Sequence, residues 1–137
     1  MSDKKTILVV EDEESLLNAL TDKLKKEGFE VLQAKDGEQG LEIASEHHPD
    51  LILLDIVLPK MDGLRMAEEL KKRPQPKIEN IHGEESEIGL PPIILLTNLS
   101  DIQTVIRASE QGLYDYLVKS DWKIEDVVIK VKEKLQM

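Results

Sequence analysis

The chain has 137 residues, with 18 lysines and arginines against 28 aspartates and glutamates, which gives a formal net charge of −10. This length predicts a single domain, residues 1–137, with one hydrophobic core. The negative charge repels phosphate backbones and anionic lipids, so we expect neither nucleic acid nor a membrane as a partner of this domain. The chain has no cysteine, and its first apolar run is far shorter than a signal sequence or a membrane span. These features predict a cytoplasmic location.

The first half of the chain alternates between short apolar runs of strand length and segments with helical spacing. Thr6–Val10 predicts the first strand, and leucines that recur through 16–24 predict a helix ending at Gly28, a residue common just after a helix. Glu30–Ala34 predicts the second strand. Apolar residues after Asp36 return to helical spacing and predict the second helix. This half therefore predicts the order strand, helix, strand, helix.

The second half continues the alternation with two aliphatic runs, 51–54 and 93–96, which are typical of parallel strands buried on both faces; the second of these strands is predicted at Ile93–Thr97. A capping-box pattern beginning at Ser100 predicts the start of the fourth helix, and Gly112 predicts its end. The other predicted elements are the third helix through 64–70, the fifth strand at Tyr114–Val118 and the fifth helix from about Lys123. Alternation of this kind predicts an α/β fold with a doubly wound parallel sheet between two layers of helices.

The segment from Pro74 to Pro92 interrupts this alternation between the third helix and the fourth strand. It holds four of the six prolines, two of the seven glycines and a cluster of acidic residues at 84–87. Its length exceeds that of ordinary connections in α/β domains. We expect an inserted surface loop at the edge of the sheet opposite the carboxyl ends of the strands, with a dedicated partner-binding loop as the alternative.

Chemically active side chains follow four of the predicted strands, at the end where ligands of open α/β sheets bind. Glu11 and Asp12 follow the first strand, Asp55 follows the third, Thr97 ends the fourth and Lys119 follows the fifth. Three carboxylates that converge in a partly buried pocket must be protonated or neutralised by a cation, and Mg²⁺ fits best. With an ammonium and a hydroxyl nearby, such a site suits phosphoryl transfer to a carboxylate. Alternatively, each residue is an ordinary helix cap, turn or surface group.

Together these residues resemble the receiver domain of bacterial two-component response regulators, in particular its stand-alone chemotaxis-type members. The resemblance rests on Glu11-Asp12, on Asp55 within the run 53–63, on Thr97 and on the run 116–119. It covers essentially the whole chain. It implies a flavodoxin-like fold, with a five-stranded parallel sheet in the order 2-1-3-4-5 and five helices.

The resemblance also implies a role for each matching residue. Asp55 would accept a phosphoryl group from a phosphohistidine on a histidine kinase or a phosphotransfer protein. Thr97 and Lys119 would contact the phosphoryl oxygens, and Tyr116 would be the switch aromatic whose ring turns inward as Thr97 moves. The implied ligands of Mg²⁺, with Mn²⁺ as an alternative, are Glu11, Asp12, Asp55 and the backbone carbonyl of Val57.

We therefore predict a phosphorelay receiver that controls a downstream protein through the surface of its fourth helix, fifth strand and fifth helix. The resemblance allows a phosphorylation-dependent homodimer. Because the transfer is directed at the chain itself, we do not expect an enzyme acting on turnover substrates. The alternatives are a Mg²⁺-dependent aspartyl-nucleophile phosphohydrolase, which Val57 argues against, and a phosphate-independent receiver-like scaffold. With the chain ending at Met137, we expect either a stand-alone regulator or a domain cut from a longer one.

Two residues depart from the family's pattern. Ser120 replaces the proline that usually follows the lysine, and because a cis bond before another residue costs ~2.5–4 kcal/mol, we expect a trans peptide here. Asn98 replaces a small residue after the threonine, and we expect it to change the lifetime of the phosphoryl group. Outside the site, we expect Trp122 to be a packing residue, with a partner contact as the alternative. We expect solvated loop side chains, with a metal pair as the alternative, at His47, His48 and His82.

Overall fold

The computed structural model of the chain describes residues 4–74, 77–79, 81–83, 85–87, 89–110 and 114–137. The strands are β1 (Thr6–Val10), β2 (Glu30–Ala34), β3 (Leu51–Asp55), β4 (Lys77–Glu79), β5 (Glu85–Glu87), β6 (Ile93–Thr97) and β7 (Tyr114–Val118). The helices are α1 (Glu14–Lys26), α2 (Gly37–His47), α3 (Gly63–Lys72), α4 (Ile102–Glu110) and α5 (Ile124–Lys134), with a short 3₁₀ helix at Leu99–Asp101. Within the part of the chain that is described, none of these helices is both long and apolar enough to cross a membrane.

Five of the strands form one parallel sheet in the order β2-β1-β3-β6-β7. Since β6 and β7 are the fourth and fifth strands of this sheet in chain order, the predicted flavodoxin-like order 2-1-3-4-5 is confirmed. The register pairs Val10 with Leu54 and Asp55 with Leu96. The carboxyl ends of β1, β3 and β6 therefore lie side by side, as the family resemblance implies.

Alternating side chains of the sheet build a core layer on each of its faces. On one face Leu8 and Ile52 belong to a cluster shared with α2, α3 and α4, and on the other Ile7 and Leu53 belong to a cluster shared with α1 and α5. Every residue of β3 and of β6 is buried. Because each fully buried leucine or isoleucine stabilises the fold by about 1.5–3 kcal/mol, the aliphatic runs of these two strands fix the centre of the sheet.

The two helices that flank β7 are attached to the core unequally. Helix α5 buries three valines and is further joined to β7 by two ion pairs of Asp115, to Lys130 Nζ at 3.2 Å and to Lys134 Nζ at 3.3 Å. Among the described side chains of α4, only Val105 is fully buried. Trp122, just before α5, is partly buried against the α1 and α5 layer, which confirms the predicted packing role.

The segment from Pro74 to Pro92 contains a hairpin that the sequence analysis did not predict. Strands β4 and β5 pair antiparallel, with Ile78 opposite Ser86, and Gly83 between them has a φ of 78°. Three-residue strands are too short to produce a recognisable period in the sequence. The position of the segment agrees with the prediction, because the Pro92 carbonyl accepts a hydrogen bond from the Ile52 amide (3.0 Å) at the amino end of β3.

The start of α4 differs from the prediction. The sequence pattern predicts that Ser100 opens this helix with a capping box, but Ser100 lies inside the 3₁₀ helix Leu99–Asp101, and α4 begins at Ile102. The Asp101 amide donates instead to the Asn98 carbonyl at 3.0 Å, so a local backbone turn satisfies it. The predicted end of this helix, Gly112, lies outside the described residues.

Other local predictions are confirmed. Gly28 follows α1 with a φ of 96°, the left-handed conformation typical of a residue after a helix. Helix α5 begins just after Lys123, whose amide donates to the Asp126 carboxylate at 2.7 Å. The described residues contain no cis peptide bond, so the bond before Ser120 is trans, as expected. His47 and His48 are exposed at the end of α2, and His82 is exposed between β4 and β5.

Candidate functional site

The predicted site residues lie at the carboxyl end of the parallel sheet. Glu11 directly follows β1, and its amide donates to the Ala34 carbonyl (3.0 Å), so it extends the ladder between β1 and β2. Asp55 is the last residue of β3. Lys119 follows β7, and its amide donates to the Thr97 carbonyl at the end of β6 (2.7 Å). Neighbouring strands thus fix each of these backbone positions.

Three carboxylates converge at this end of the sheet. Glu11, Asp12 and Asp55 each offer an oxygen, and these oxygens all lie within 4.8 Å of one another. Glu11 is fully buried and Asp55 is 5% exposed, whereas Asp12 is exposed to solvent. Hard oxygen donors in a partly open cluster fit a divalent cation such as Mg²⁺, which keeps some of its water. The residues present therefore match the predicted metal chemistry.

Lys119 bridges two of these carboxylates. Its Nζ lies 2.9 Å from Oδ2 of Asp55 and 3.2 Å from Oε2 of Glu11, and its side chain is 19% exposed. Burial alone would lower the pKa of Lys119, but the hydrogen bonds and negative charges of Asp55 and Glu11 outweigh it and raise that pKa. Lys119 is therefore a fixed positive charge within reach of Asp55.

Glu11 is the carboxylate whose ionised form this arrangement disfavours. Burial and the negative charge of Asp55 raise its pKa from 4.5 to about 7, although Lys119 and the Glu13 amide act in the opposite direction. The Glu13 amide donates to Oε1 of Glu11 at 3.1 Å. Glu13 itself occupies the cap position of α1, and no described side chain caps this helix, so the alternative that Glu11 merely caps α1 does not describe its contacts.

Thr97 is buried at the end of β6, where its hydroxyl donates to the Asn98 carbonyl at 3.0 Å. Its backbone carbonyl holds the Lys119 amide, so the threonine and the lysine are joined through their main chains. In this state the Thr97 hydroxyl is therefore engaged with its own loop. Contact with a group on Asp55 requires the hydroxyl to exchange that partner.

The remaining predicted residues have different relations to the cluster. Val57 is 57% exposed, and its amide donates to Oδ1 of Asp55 at 3.3 Å; the role of its carbonyl stays a prediction. Tyr116 is half-buried on β7, opposite Leu95 of β6, and packs against the core layer shared with α4. The structure therefore brings Glu11, Asp12, Asp55 and Lys119 together directly. It places Thr97 at the end of β6, Val57 in the loop after β3 and Tyr116 in the middle of β7.

Comparison with known proteins assigns the chain to a family. Residues 7–132 match the family model of the response regulator receiver domain. The chain belongs to this family. The matched range contains the positions of all the predicted site residues of the receiver domain.

Curated relatives and solved structures agree with this assignment. The receiver domain is 40% identical over 116 residues to the probable transcriptional regulator ycf27 of Porphyridium aerugineum. The alignment covers 85% of the chain and 42% of this relative. It is 36% identical over 115 residues to the alkaline phosphatase synthesis transcriptional regulatory protein PhoP of Bacillus subtilis (strain 168), covering 84% and 42%. The chain thus spans about two-fifths of the length of these relatives. It is also similar to the crystal structure of a CheY-like response regulator receiver domain protein from Methanospirillum hungatei JF-1, with 28% identity, a TM-score of 0.78 and coverage of 98% and 95%.

The structure adds a glycine that the sequence analysis did not single out. Gly63 opens α3, and a Cβ atom at this position would overlap the backbone carbonyl oxygen of Asp55. The Gly63 amide donates to the Ile56 carbonyl at 2.9 Å. The close approach fixes the loop that follows β3 and, with it, the backbone of Asp55. A glycine directly after Asp62, the residue that caps α3, was the available signal.

The loop of the receiver domain between β3 and α3 also contacts the start of α2. A Cβ atom on Gly37, the first residue of α2, would overlap the Met61 carbonyl oxygen. Lys60 has a φ of 66°, which is unusual for a residue with a side chain, and its Nζ lies 3.7 Å from Oδ2 of Asp36. The loop between β3 and α3 is thus held at both of its ends by backbone contacts.

Proposed function

We propose that this chain is a phosphorelay receiver that accepts a phosphoryl group on Asp55 from a phosphohistidine of a histidine kinase or a phosphotransfer protein. The observation that carries the proposal is the bridge of Lys119 to Asp55 and Glu11 inside a cluster of three carboxylates. A surface lysine paired with one acid would stabilise the fold equally well. Here Lys119 instead contacts two buried acids beside a third carboxylate. Such an arrangement suits a site that must accommodate further negative charge.

In the proposed transfer, a carboxylate oxygen of Asp55 forms a bond to phosphorus while the bond between phosphorus and the donor's imidazole nitrogen breaks. The electron pair of that bond stays on the imidazole. Lys119 lies within 2.9 Å of the attacking carboxylate and balances the charge that arrives with the phosphoryl oxygens. Mg²⁺, or Mn²⁺ in its place, would supply further positive charge to offset that of the phosphoryl oxygens. The residues that would hold it are Glu11, Asp12, Asp55 and, by the resemblance, the Val57 carbonyl.

The switch follows from a difference in hydrogen-bond strength. The Thr97 hydroxyl donates to a neutral carbonyl, an interaction worth about 1 kcal/mol net, whereas a hydrogen bond to a charged group contributes about 1.5–3 kcal/mol. A phosphoryl group adds about 1.5–2 negative charges and three acceptor oxygens on Asp55. Exchange of partner by Thr97 is therefore favourable only after phosphorylation. Its movement opens space near β6 that Tyr116, half-buried against the α4 layer, can occupy.

The signal would then pass to a downstream protein through the surface formed by α4, β7 and α5. The curated relatives are named as transcriptional regulators, which favours a target in the control of transcription. Within this proposal the domain works in the cytoplasm, contacts neither nucleic acid nor membrane, and is not an enzyme for turnover substrates. A homodimer that forms on phosphorylation is one form that the downstream contact can take.

The test is the intact mass of the protein after incubation with acetyl phosphate and Mg²⁺. We expect one phosphoryl adduct on the wild type and none on Asp55→Asn, because the amide is not a nucleophile. Asp22→Asn, on the exposed face of α1, is the matched control and should behave as the wild type does. Omitting Mg²⁺ in the presence of EDTA should abolish the adduct.

Three outcomes would overturn this proposal. An adduct of equal yield on Asp55→Asn would place the acceptor elsewhere. Absence of any adduct on the wild type would favour the phosphate-independent scaffold. Continuous release of phosphate from varied monoesters, with many turnovers per chain, would favour the phosphohydrolase.

A further inference from the structure

Lys119 lies in a turn whose own residues do not fix its shape. The Asp121 amide donates to the Val118 carbonyl at 2.9 Å, so residues 118–121 form a hydrogen-bonded turn with Lys119 and Ser120 at its centre. Neither central residue is a proline or a glycine, the types that select one turn conformation, and Ser120 is exposed. The position of Lys119 therefore depends on how the two ends of this turn are attached to the rest of the domain.

The two ends of the turn are attached in different ways. At the upstream end, the Lys119 amide donates to the Thr97 carbonyl at 2.7 Å, which joins the turn to β6. At the downstream end, Trp122 packs against the core layer shared with α1 and α5, whereas the other residues of the described run 120–123 are exposed. The side chain of Trp122 thus joins the turn to the core just before α5 begins.

The indole nitrogen of Trp122 shows which property of the side chain matters at this position. Nε1 is buried and has no hydrogen-bond partner among the residues that the structure describes. A buried indole N–H usually finds an acceptor, because leaving it unpaired is unfavourable. The ring is therefore held here by its apolar contacts. Phenylalanine, which keeps an aromatic ring and lacks the N–H group, should occupy the position equally well.

The contacts of Lys119 require an accurate backbone position. Its Nζ lies 2.9 Å from Oδ2 of Asp55 and 3.2 Å from Oε2 of Glu11, so both contacts have hydrogen-bond length. A lysine side chain has considerable rotamer freedom to lose when it is fixed in this way. A shift of the turn by about 1 Å would lengthen one contact beyond hydrogen-bond distance unless the side chain left its rotamer.

We propose that Trp122 is a positioning residue for Lys119. Its ring anchors the downstream end of the turn on the α1 and α5 layer, so that Nζ of Lys119 reaches Asp55 and Glu11 together. Trp122 acts through Lys119 and is assigned no contact with the reacting atoms. The inference rests on the proposed function for the part that Lys119 plays in phosphoryl transfer. The anchor itself is present before any phosphoryl group is bound, so it can be tested without phosphorylation.

The first measurement is the reactivity of individual lysines of the full chain toward acetic anhydride, read by peptide mass in EDTA without a phosphodonor. The paired and largely buried amine of Lys119 should be acetylated slowly relative to the exposed Lys5. Trp122→Ala should raise the ratio of Lys119 to Lys5 labelling ~2- to 5-fold, the range of a partly exposed ion pair. Trp122→Phe should keep the wild-type ratio. Trp122→Leu should give an intermediate ratio, and it replaces Trp122→Ala if the urea curve shows that variant to be unfolded.

Leu135→Ala is the matched control for a general loss of packing. Leu135 is partly buried against the same core layer but lies at the end of α5, away from the turn in sequence. Its replacement should lower the urea midpoint, as Trp122→Ala does, while the Lys119 labelling ratio stays at the wild-type value. A rise of that ratio in Trp122→Ala alone would separate positioning of Lys119 from overall stability.

The second measurement is the rate of adduct formation with acetyl phosphate and Mg²⁺. Trp122→Ala should slow it ~5- to 10-fold, because displacement of a reacting group by about 1 Å can cost up to about 10²-fold. Trp122→Phe and Leu135→Ala should react at the wild-type rate.

Several results would overturn the positioning role. They are an unchanged Lys119 labelling ratio in Trp122→Ala, an equal rise in Leu135→Ala, a rate loss that Trp122→Phe does not restore, and a raised labelling ratio with an unchanged rate. Absence of any adduct on the wild type would count against the proposed function instead. The labelling ratios would then still decide whether Trp122 positions Lys119.

Discussion

Glu11 makes the stability of the metal-free protein depend on pH in an unusual direction. Its pKa in the folded chain is about 7, raised from 4.5 by burial and by the charge of Asp55. Between these two values the folded chain holds a proton that the unfolded chain releases. The free energy of unfolding therefore falls as the pH rises, and the loss is complete above about pH 7. A carboxylate in an ordinary ion pair has the opposite effect.

The magnitude follows from the shift. A change from 4.5 to about 7, at about 1.36 kcal/mol per unit, corresponds to about 3 kcal/mol, of which about 2 kcal/mol is lost between about pH 5.5 and about pH 8. Asp55→Asn removes the nearest negative charge and should reduce this loss by about 1 kcal/mol or more. Glu11→Gln removes the titrating group and should abolish it. Mg²⁺ added at the higher pH should restore stability, because the cation replaces the proton.

The assay is urea denaturation of the wild type and the two variants in EDTA, at about pH 5.5 and about pH 8, with Asp22→Asn as the control. Apart from the substituted residue, the four proteins have the same ionisable groups, so the comparison isolates the contribution of Glu11. We expect the largest pH-dependent loss in the wild type and in the control. If Glu11→Gln lost as much stability as the wild type between the two pH values, Glu11 would not be the group responsible.

Three further predictions concern residues that support the site or the core, at Gly63, Leu53 and Asp115. Gly63→Ala forces a Cβ atom against the Asp55 carbonyl and should lower the free energy of unfolding, measured by urea denaturation, by about 1–3 kcal/mol. It should also slow the phosphorylation of Asp55. An unchanged rate would mean that the loop after β3 adjusts to the added atom. Leu53→Ala, at a fully buried position of β3, should lower the free energy of unfolding by about 2–5 kcal/mol. A smaller loss would contradict the place of Leu53 in the core. Burial tends to raise the pKa of Asp115, but two lysines of α5 outweigh it and lower that pKa. Asp115→Asn should therefore cost about 1 kcal/mol at neutral pH, and the difference from the wild type should vanish as the pH falls through the lowered pKa of Asp115; a difference that persisted in acid would exclude the ion pairs as its cause.

The sheet could be predicted from the sequence because its signal is local. Runs such as 51–54 and 93–96 are aliphatic throughout, which is typical of strands buried on both faces. Once the strands are parallel, the residues that follow them must meet at one edge. That Glu11, Asp55 and Lys119 lie at one edge was therefore predictable from chain order, whereas their close approach depends on the strand order, which the family resemblance implied.

The remaining features depend on contacts that no local pattern records. The approach of Gly63 to the Asp55 carbonyl is set by how α3 docks on the sheet. The Thr97 hydroxyl donates to the Asn98 carbonyl, a partner set by the path of the loop after β6. For the same reason, Ser100 carried the composition of a helix cap but lies in a 3₁₀ turn. In each case tertiary geometry overrides local propensity.

The unequal attachment of the helices beside β7 determines which of them can respond to Thr97. Helix α5 is held by three buried valines and by two ion pairs to Asp115, so separating it from β7 breaks several interactions at once. Helix α4 has one fully buried anchor among its described side chains, Val105, and a local opening that breaks few contacts has a low free energy. Amide hydrogen exchange should therefore be faster in α4 than in α5. A conformational signal that reaches β7 would leave the domain through the movement of α4, with α5 remaining the fixed reference against which a partner detects it.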